Sequence, residues 1–272
     1  MKKLLLLLAV LLGAAFTNAQ TILFHENFDP ASGPDSVTAT GTPTFAINTR
    51  LHYSGTQCDS LKSPLNNVSY LTTQPFSTVG STNVLLKFAH ICKVEIFDTA
   101  KVEISVNGGP WIKLTTQYIN PGNSQFLNQT YRFCAATYPV DWWATNDTIK
   151  PNQTWWKLET FDISALAANS SNVRVRFTLR GNVSNDVCHG WYLDDIMVVG
   201  GTSELIPPKI TMISPIIQDT VFNTGPFNIS AYVRDASGID TAYIVYKLNN
   251  GANQYIPMTW VADSTYTGTI PS

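Results

Sequence analysis

The sequence predicts an all-β protein, and three observations support that prediction. Short runs in which apolar and polar residues alternate recur along the chain, and residues 100–106, with Val102, Ile104 and Val106 on one face, are the clearest. Gly, Pro and Asn separate these runs, as expected of turns between strands. Helical character is confined to one short segment, residues 164–168. Many short strands without helices favour β-sandwiches over an α/β fold.

The first domain is predicted to be a sandwich of such strands. After residues 100–106 the chain turns at an Asn-Gly-Gly-Pro sequence and returns as a hairpin strand. A later run, V-R-V-R-F, alternates so that Arg174 and Arg176 face outward. The mostly apolar residues 84–91 predict a central strand. The predicted strands of this domain are, in chain order, residues 22–29, 84–91, 100–106, 111–114, 173–179 and 190–199.

The first nineteen residues have the features of a secretory signal peptide. Lys2 and Lys3 form a basic start, residues 4–15 are a short apolar run, and small residues lead to Ala19. The apolar run is shorter than the roughly 20 residues that a membrane-spanning helix needs. We therefore expect cleavage after Ala19 and a protein that is secreted or held on the outer cell surface, with no membrane insertion.

The charge of the chain argues against a nucleic-acid partner. Charged residues make up 13% of the chain, about half the usual share, and the formal net charge is −2. A protein that binds nucleic acid generally shows a basic stripe and a basic overall balance. We expect no nucleic-acid partner for this chain.

Carboxylates occupy both ends of the first domain. The opening strand carries Glu26 and Asp29, and the last strand carries Asp194 and Asp195. Because side chains alternate along a strand, the adjacent aspartates are predicted to point to opposite sides of the sheet. One of them must then enter or flank the core, where an unpaired carboxylate is costly. A bound cation or a set of hydrogen-bond donors would offset that cost.

Four motifs give the first domain a resemblance to known modules. They are E-N-F-D near the start, V-E-I-S-V-N-G-G-P-W in the middle, V-R-V-R-F later, and G-W-Y-L-D-D-I at the close. The chain from residue 22 to 201 resembles the jelly-roll modules of secreted bacterial surface proteins. These are similar to MAM domains, to cleaved-adhesin domains of the gingipain type and to some carbohydrate-binding modules.

The resemblance implies a jelly roll in which the first and last strands lie side by side. It also implies a structural calcium ion near Glu26, Asp29, Asp194 and Asp195, since calcium prefers several carboxylate and carbonyl oxygens. The alternative, that backbone N–H groups satisfy these carboxylates and no metal binds, stays open. The resemblance further suggests export by type IX secretion.

The region between residues 115 and 153 is long, polar and rich in aromatic residues. A loop of this length in a compact domain is usually functional or held by a cross-link. Sugar rings stack on exposed indole and phenol faces, so Tyr138, Trp142 and Trp143 are the predicted ligand contacts. The alternative is that these rings pack in the core, as most tryptophans largely do.

The chain has four cysteines, Cys58, Cys92, Cys134 and Cys188, and all of them follow the signal peptide. In an oxidising compartment they predict two disulfides with three possible connectivities, of which one containing Cys92–Cys188 is favoured. Four separate buried thiols are the alternative.

A second domain is predicted after a proline-rich break. Pro207 and Pro208 stiffen a linker at residues 204–208, which separates a domain at 20–203 from one at 209–272. The second domain looks like the beginning of an Ig-like or fibronectin-like sandwich. It shows about five strand signals where such a sandwich has about seven, so we expect the natural protein to be longer. A complete small sandwich with an open edge is the alternative.

The sequence predicts a non-catalytic protein. It contains no G-x-S-x-G, no H-E-x-x-H and no P-loop. We therefore expect a secreted adhesion or binding module that recognises a glycan or an extracellular matrix protein. One alternative is the accessory part of a larger secreted hydrolase or protease, and another is a structural surface-layer protein without a ligand.

Overall fold

The computed structural model describes residues 4–5, 20–30, 36–119, 123–142, 149–182, 189–214, 225–235, 238–248 and 251–271. The chain forms two compact units. The larger unit spans Asn18–Leu205, and the smaller unit spans Ile206–Ser272 together with the described residues among the first seventeen. Both units are built from antiparallel strands, which confirms the all-β prediction.

Most strands have eight residues or fewer, and the two longest, Asn83–Lys93 and Gly190–Gly201, have 11 and 12. Among the described residues the strands are accompanied by one helix, α1 (Ser164–Ala167), and by two 3-10 turns, Ala135–Thr137 and Gln153–Trp155. No described helix is long and apolar enough to cross a membrane. The strands are β1 (Leu4–Leu5), β2 (Thr21–Glu26), β3 (Val37–Gly41), β4 (Ala46–Asn48), β5 (Cys58–Leu61), β6 (Val68–Thr73), β7 (Asn83–Lys93), β8 (Thr99–Val106), β9 (Ile112–Lys113), β10 (Lys157–Asp162), β11 (Val173–Arg180), β12 (Gly190–Gly201), β13 (Lys209–Ser214), β14 (Phe227–Arg234), β15 (Tyr243–Leu248), β16 (Gln254–Pro257), β17 (Thr259–Ala262) and β18 (Thr265–Ile270).

The larger unit is a sandwich of two sheets. One sheet has the order β10-β7-β12-β5-β4, with β2 also paired to β12, and the other has the order β3-β6-β11-β8-β9. Aromatic rings from the two sheets meet between them: the centroids of Phe88 and Phe177 lie 4.9 Å apart, and those of Phe177 and Trp191 lie 5.7 Å apart. This face-to-face packing confirms the predicted β-sandwich.

The first and last strands of this unit lie side by side. β2 pairs antiparallel with β12, and Glu26 stands opposite Ile196. β12 also pairs with β7 along its other edge and with β5 through its first residues. The predicted contact between the two ends of the domain is confirmed, and β12 is the strand on which the six-stranded sheet is assembled.

A β-bulge interrupts β12 at its two aspartates. The register with β7 shifts between Asp194 and Met197, and Asp195 has a φ of 45°. Trp191 faces the core before the bulge and Ile196 faces it after, although strict alternation would put them on opposite sides. The predicted alternation through the whole strand was therefore wrong, because the extra residue reverses the phase.

The bulge also changes where the aspartates point. The backbone N–H of Ser54 donates to Asp194, and its hydroxyl donates to Asp195 at 2.9 Å. One short segment can reach both carboxylates only if they lie on the same side of the sheet. The prediction that the two aspartates point to opposite sides was wrong for this reason.

The long region after β9 closes one side of the sandwich. It leaves the edge strand β9 of one sheet and ends at the edge strand β10 of the other. Phe133 forms a bridge with Ala100 at the start of β8, and Tyr118 forms one with Phe161 on β10. Phe126 and Phe133, both fully buried, pack against each other in a tilted arrangement with 4.5 Å between their centroids. The aromatic residues of this region extend the core.

A buried carboxylate fixes this region to the sheet. Glu159 of β10 is buried and accepts three hydrogen bonds: from the hydroxyls of Tyr118 at 2.6 Å and Tyr138 at 2.8 Å, and from His90 at 2.9 Å. Burial, together with the negative charge of Glu159, raises the pKa of both tyrosines, so they stay protonated as donors.

The protonation of His90 follows from its two partners. The indole N–H of Trp191 donates to Nδ1 of His90 at 3.1 Å, so Nδ1 is an acceptor and the ring proton lies on Nε2. Nε2 then donates to Glu159. Burial lowers the pKa of His90, and the hydrogen bond and charge of Glu159 offset this only in part. The lowered pKa favours the neutral form of the ring.

The smaller unit has a core of its own. One of its sheets has the order β13-β14-β18-β17 and the other has the order β1-β15-β16. Ile229, Val233, Ile244 and Ile270 are buried in one cluster. β1, which falls within the predicted signal peptide, pairs with the end of β15. The Ig-like assignment, the linker at residues 204–208 and the signal peptide stay predictions.

Replacing Tyr118 by phenylalanine is expected to destabilise the larger unit by about 1–3 kcal/mol, because it removes a hydrogen bond to a buried carboxylate. Tyr131→Phe is the matched control, since no hydrogen bond of the Tyr131 hydroxyl is found among the described residues and its ring also packs on Phe126. Urea unfolding followed by tryptophan fluorescence measures the effect, because every tryptophan except Trp260 falls in the larger unit. Equal stabilities of the two variants would contradict the role assigned to Glu159.

Candidate functional site

The outer face of the five-stranded sheet carries a polar and aromatic set of side chains. Leu71, Val102 and Phe177 point into the core, so the residues next to them in sequence point outward. We call the following side chains the outer face: Thr38 and Thr40 of β3, Tyr70 and Thr72 of β6, Arg174, Arg176, Thr178 and Arg180 of β11, Lys101, Glu103 and Ser105 of β8, and Trp111 and Lys113 at β9.

One row of the outer face crosses all five strands. Thr38 stands opposite Thr72, Thr72 opposite Arg176, Arg176 opposite Glu103, and Glu103 opposite Lys113. Directly opposed residues of antiparallel strands project from the same side of the sheet. At about 4.8 Å between strands, this row is roughly 19 Å long. It therefore presents a continuous polar strip across the sheet.

Glu103 organises the cations of this row. Its carboxylate accepts from Nε of Arg176 at 2.8 Å, from Nζ of Lys101 at 2.8 Å and from the hydroxyl of Thr178 at 2.6 Å. Burial raises the pKa of Glu103, but the hydrogen bonds from Arg176, Lys101 and Thr178 outweigh it and the net shift is downward. Glu103 is therefore ionised at neutral pH and holds the side chain of Arg176 in place.

Two aromatic rings flank Arg176. The guanidinium carbon of Arg176 lies 4.7 Å from the ring centroid of Tyr70 and 4.3 Å from that of Trp111. We call this arrangement the Tyr70–Arg176–Trp111 stack. The guanidinium of Arg174 also approaches Trp111, at 5.6 Å. Both rings are only partly buried, so they combine cation–π contacts with accessible apolar surface.

A depression of about 250 Å³ lies beside the stack. Its walls carry hydroxyl and amide groups, which both donate and accept hydrogen bonds, and one guanidinium. Such a lining suits a ligand that itself carries many hydroxyl groups. The residues that line it are Thr38, Thr40, Thr72, Thr73, Gln74, Pro75 and Arg174.

The predicted ligand contacts lie elsewhere. Trp142 is fully buried, its indole N–H donates to the carbonyl of Trp155 at 2.9 Å, and Tyr138 is bonded to Glu159. Neither ring has a free face for a ligand, because both pack into the core that the long region extends. The prediction of ligand contact was wrong for Trp142 and Tyr138, while Trp143 lies outside the described residues.

A second pair of aromatic rings is partly exposed on the larger unit. Tyr53, at 43% exposure, meets Trp156 edge to face with 6.1 Å between the centroids. Gln153 fixes the surrounding loops, since it accepts from the backbone N–H of His52 and donates to the backbone carbonyl of that residue. This pair lacks the row of charged and hydroxyl groups that surrounds Trp111.

The four carboxylates predicted to bind calcium are divided between two faces. Glu26 stands opposite Ile196 on the core side of the sheet, where it accepts from the backbone N–H groups of Phe28 and Ser36. Asp194 and Asp195 lie on the other side. Among the residues that the structure describes, no three His, Cys, Asp or Glu side chains are grouped so that they could hold a metal ion.

A short loop, residues 53–57, supplies donors to the three aspartates. Asp194 accepts from the backbone N–H groups of Tyr53, Ser54 and Asp195 at 2.6, 3.2 and 2.8 Å. Asp29 accepts from the backbone N–H and the hydroxyl of Thr56, both at 2.8 Å. Burial raises the pKa of Asp194 to about 7, although these backbone hydrogen bonds act to lower it.

The three cysteines that the structure describes, Cys58, Cys92 and Cys134, are buried. Cys58 and Cys134 are free thiols in the structure, and burial raises the pKa of both. Cys188 lies outside the described residues, so the favoured pairing with Cys92 stays a prediction.

Sequence reasoning missed most of the outer face as a site. The alternation of V-R-V-R-F placed Arg174 and Arg176 outward, and the half-exposed positions of both confirm this. The sequence feature that could have indicated this site is the presence of two outward arginines in one strand together with Trp111 just after a hairpin turn. Which side of which strand Tyr70 and Thr72 would occupy required the strand order.

No protein-family model and no curated protein matches the chain. Among solved structures, the chain is similar to the C-terminal family 22 carbohydrate-binding module of Clostridium thermocellum Xyn10B, with 12% identity, a TM-score of 0.39, and coverage of 70% of this chain and 99% of that one. It is also similar to the K3 cleaved adhesin domain of Lys-gingipain from Porphyromonas gingivalis, with 12% identity, a TM-score of 0.38, and coverage of 66% and 100%.

A third similar structure is a family 11 carbohydrate-binding module from Clostridium thermocellum in complex with a mixed-linked tetrasaccharide. It shows 9% identity, a TM-score of 0.35, and coverage of 66% of this chain and 98% of that one. At these identities and TM-scores the likenesses carry no argument about ligand or mechanism. The resemblance to MAM domains stays a prediction.

Glu103→Gln is expected to lower the stability of the larger unit at neutral pH by about 1–3 kcal/mol, because the carboxylate accepts three hydrogen bonds, two of them from cations. The folded pKa of Glu103 lies below its ordinary value of 4.5, so its contribution is present above that pH and is lost as the pH falls below it. Urea unfolding at neutral and acidic pH should show the gap between wild type and variant narrowing in acid. Glu204→Gln, an exposed carboxylate, is the control, and a gap independent of pH would contradict the assignment.

Calcium is expected to raise the melting temperature, and EDTA to lower it, if an ion binds only the folded state beside Asp194 and Asp195. Asp194→Asn should abolish the effect of calcium, whereas Asp240→Asn in the smaller unit should preserve it. If neither calcium nor EDTA changes the melting temperature of the wild type, the prediction of a calcium site is wrong.

Proposed function

We propose that the larger unit is a non-catalytic, secreted carbohydrate-binding module whose ligand lies on the outer face of the five-stranded sheet. The Tyr70–Arg176–Trp111 stack and the hydroxyl-lined depression beside it form one surface. A sugar chain would stack its apolar ring faces on the exposed parts of the aromatic rings. Its hydroxyl groups would bond to the threonine, glutamine and arginine side chains.

The observation that carries this proposal is the row of opposed side chains that crosses all five strands. Its central member, Arg176, is held by Glu103 and lies against two rings, so it does not need to be ordered by the ligand. Ligand sites characteristically combine apolar or aromatic surface with a few fixed polar groups. The outer face has both.

The chemistry of the outer face supports binding rather than hydrolysis. Glycosidases generally use two carboxyl groups, about 5–10 Å apart, on either side of the scissile bond. Glu103 is the single carboxylate of the outer face as defined here, and three donors occupy it. The pair of His90 and Glu159, which lies within hydrogen-bond distance, is fully buried and out of reach of a substrate.

Two alternative functions for the larger unit predict different binding results. A protein ligand, as expected of an adhesion module, would also use exposed aromatic and arginine side chains. An accessory role within a larger secreted hydrolase or protease is compatible with the same glycan-binding face. We favour a glycan because, apart from Pro75, every residue that lines the depression carries a hydroxyl, amide or guanidinium group.

Trp111→Ala is expected to weaken glycan binding about tenfold or more, since aromatic residues at the centre of a binding surface commonly contribute more than 1 kcal/mol. Binding of the full chain to a panel of soluble polysaccharides, by affinity electrophoresis or calorimetry, measures the effect. Trp260→Ala is the matched control, because Trp260 is 60% exposed but belongs to the smaller unit.

Trp156→Ala tests the rival surface formed with Tyr53. Loss of binding in this variant alone would move the site from the outer face to that pair. A wild-type chain that binds no polysaccharide of a broad panel, yet binds an extracellular matrix protein through Trp111, would replace the glycan by a protein ligand.

A further inference from the structure

We propose that the glycan recognised by the outer face is anionic and carries carboxylate or sulfate groups that bind at Arg174 and the terminal nitrogens of Arg176. This inference rests on the proposed function and specifies the class of ligand. It follows from the charge of the face, from the hydrogen bonds that its arginines do not make, and from their position beside the depression.

The outer face is positively charged in a chain that is not. Its outward side chains include five cations and one carboxylate, whereas the whole chain has a formal net charge of −2. Glu103 is shared between Arg176 and Lys101. The cations are Lys101, Lys113, Arg174, Arg176 and Arg180.

The cations of the face crowd one another. The pKa of Lys113 lies below its ordinary value; burial is the largest cause, and the positive charges of Lys101 and Arg132 lower it further. The charge of Glu103 opposes this shift without cancelling it. An anion bound at the face would relieve this repulsion, which a neutral sugar would leave in place.

The guanidinium groups have hydrogen-bonding capacity that the protein does not use. Among the described residues, Arg174 donates no hydrogen bond, and Arg176 uses Nε alone, which leaves its two terminal nitrogens for a ligand. A guanidinium presents paired N–H groups that match the two oxygens of a carboxylate or sulfate. The contacts with Tyr70 and Trp111, together with the hydrogen bond to Glu103, restrict the movement of the Arg176 guanidinium before a ligand binds.

The position of Arg174 joins the charge to the sugar site. Arg174 lines the depression whose other walls carry threonine hydroxyls and the Gln74 amide. A sugar seated there would place its hydroxyl groups against the threonines and an acidic substituent against the guanidinium. Uronic acids and sulfated sugars present both kinds of group on one ring, whereas a neutral sugar offers the arginine only uncharged hydroxyl acceptors, which form weaker hydrogen bonds with a guanidinium.

The test compares charged glycans with their neutral counterparts. Polygalacturonate is paired with its methyl ester, and a sulfated galactan is paired with agarose, so that the two anion types are distinguished. We expect the wild-type chain to bind at least one charged member about tenfold more tightly than its neutral partner, which corresponds to about 1.4 kcal/mol. The preference should weaken as salt is raised, because salt screens exposed charges.

Variants of Arg174 locate the preference. Arg174→Gln should remove most of the preference for charged glycans without unfolding the chain, since Arg174 makes no hydrogen bond among the described residues. Arg174→Lys should retain part of the preference, because lysine keeps the positive charge but lacks the paired N–H groups of a guanidinium. Arg234→Gln is the matched control, because Arg234 also lies over an aromatic ring, that of Tyr232 at 4.4 Å, but in the smaller unit.

The outcomes separate the two proposals. Equal binding of charged and neutral glycans, lost in Trp111→Ala, would overturn the anionic ligand and leave the proposed function standing. Binding of no glycan would overturn both. A preference for charged glycans that persists in Arg174→Gln, or equally tight binding of a single-stranded DNA oligonucleotide of matched charge, would overturn the recognition assigned to this face.

Discussion

The larger unit depends on one constraint, which is that a carboxylate removed from water must be surrounded by donors. A buried carboxylate without donors either loses its charge or costs the folded state much of its stability. Three of them are accommodated in the same way, each by three hydrogen bonds: Glu159 by two tyrosines and a histidine, Asp194 by three backbone N–H groups, and Glu103 by two cations and a threonine. Each carboxylate thereby fixes a different part of the unit to the sheets, namely the long region after β9, the loop at residues 53–57 and the cations of the outer face.

Much of the fold could be predicted from residues that are adjacent in sequence. The alternation around Val102 and Ile104 and the turn after Val106 specify a hairpin by local patterning alone. The pairing of β2 with β12 could be predicted only through the motifs at the two ends of the domain, because no local rule joins segments so far apart. The separation into two units was suggested by Pro207 and Pro208, and Leu205 is the last residue of the larger unit.

The surroundings of the predicted metal and ligand residues, and the outer face itself, could not be predicted in the same way, for three physical reasons. The bulge at Asp195 reverses the phase of β12, and a single inserted residue leaves no mark in the hydrophobic pattern that precedes it. Whether an aromatic ring after β9 points into the core depends on whether its polar group finds a buried partner. Tyr138 points inward because its hydroxyl donates to Glu159, which lies about twenty residues further along the chain. Tyr70 joins Trp111 only because β6, β11 and β8 are neighbours in the sheet, and that order is a property of the whole fold.

The Tyr70–Arg176–Trp111 stack has a consequence for how selectivity can change. A long side chain that is already immobilised loses little conformational entropy when a ligand binds. Less of the binding free energy is then spent on ordering the side chain, and differences between ligands have a larger effect on affinity. The threonines of β3 lie on an edge strand, are exposed and make few contacts. Substitution of these threonines would change which sugar binds and would leave Tyr70, Arg176 and Trp111 in place. Related chains could therefore differ in the sugar they bind and keep the same central residues.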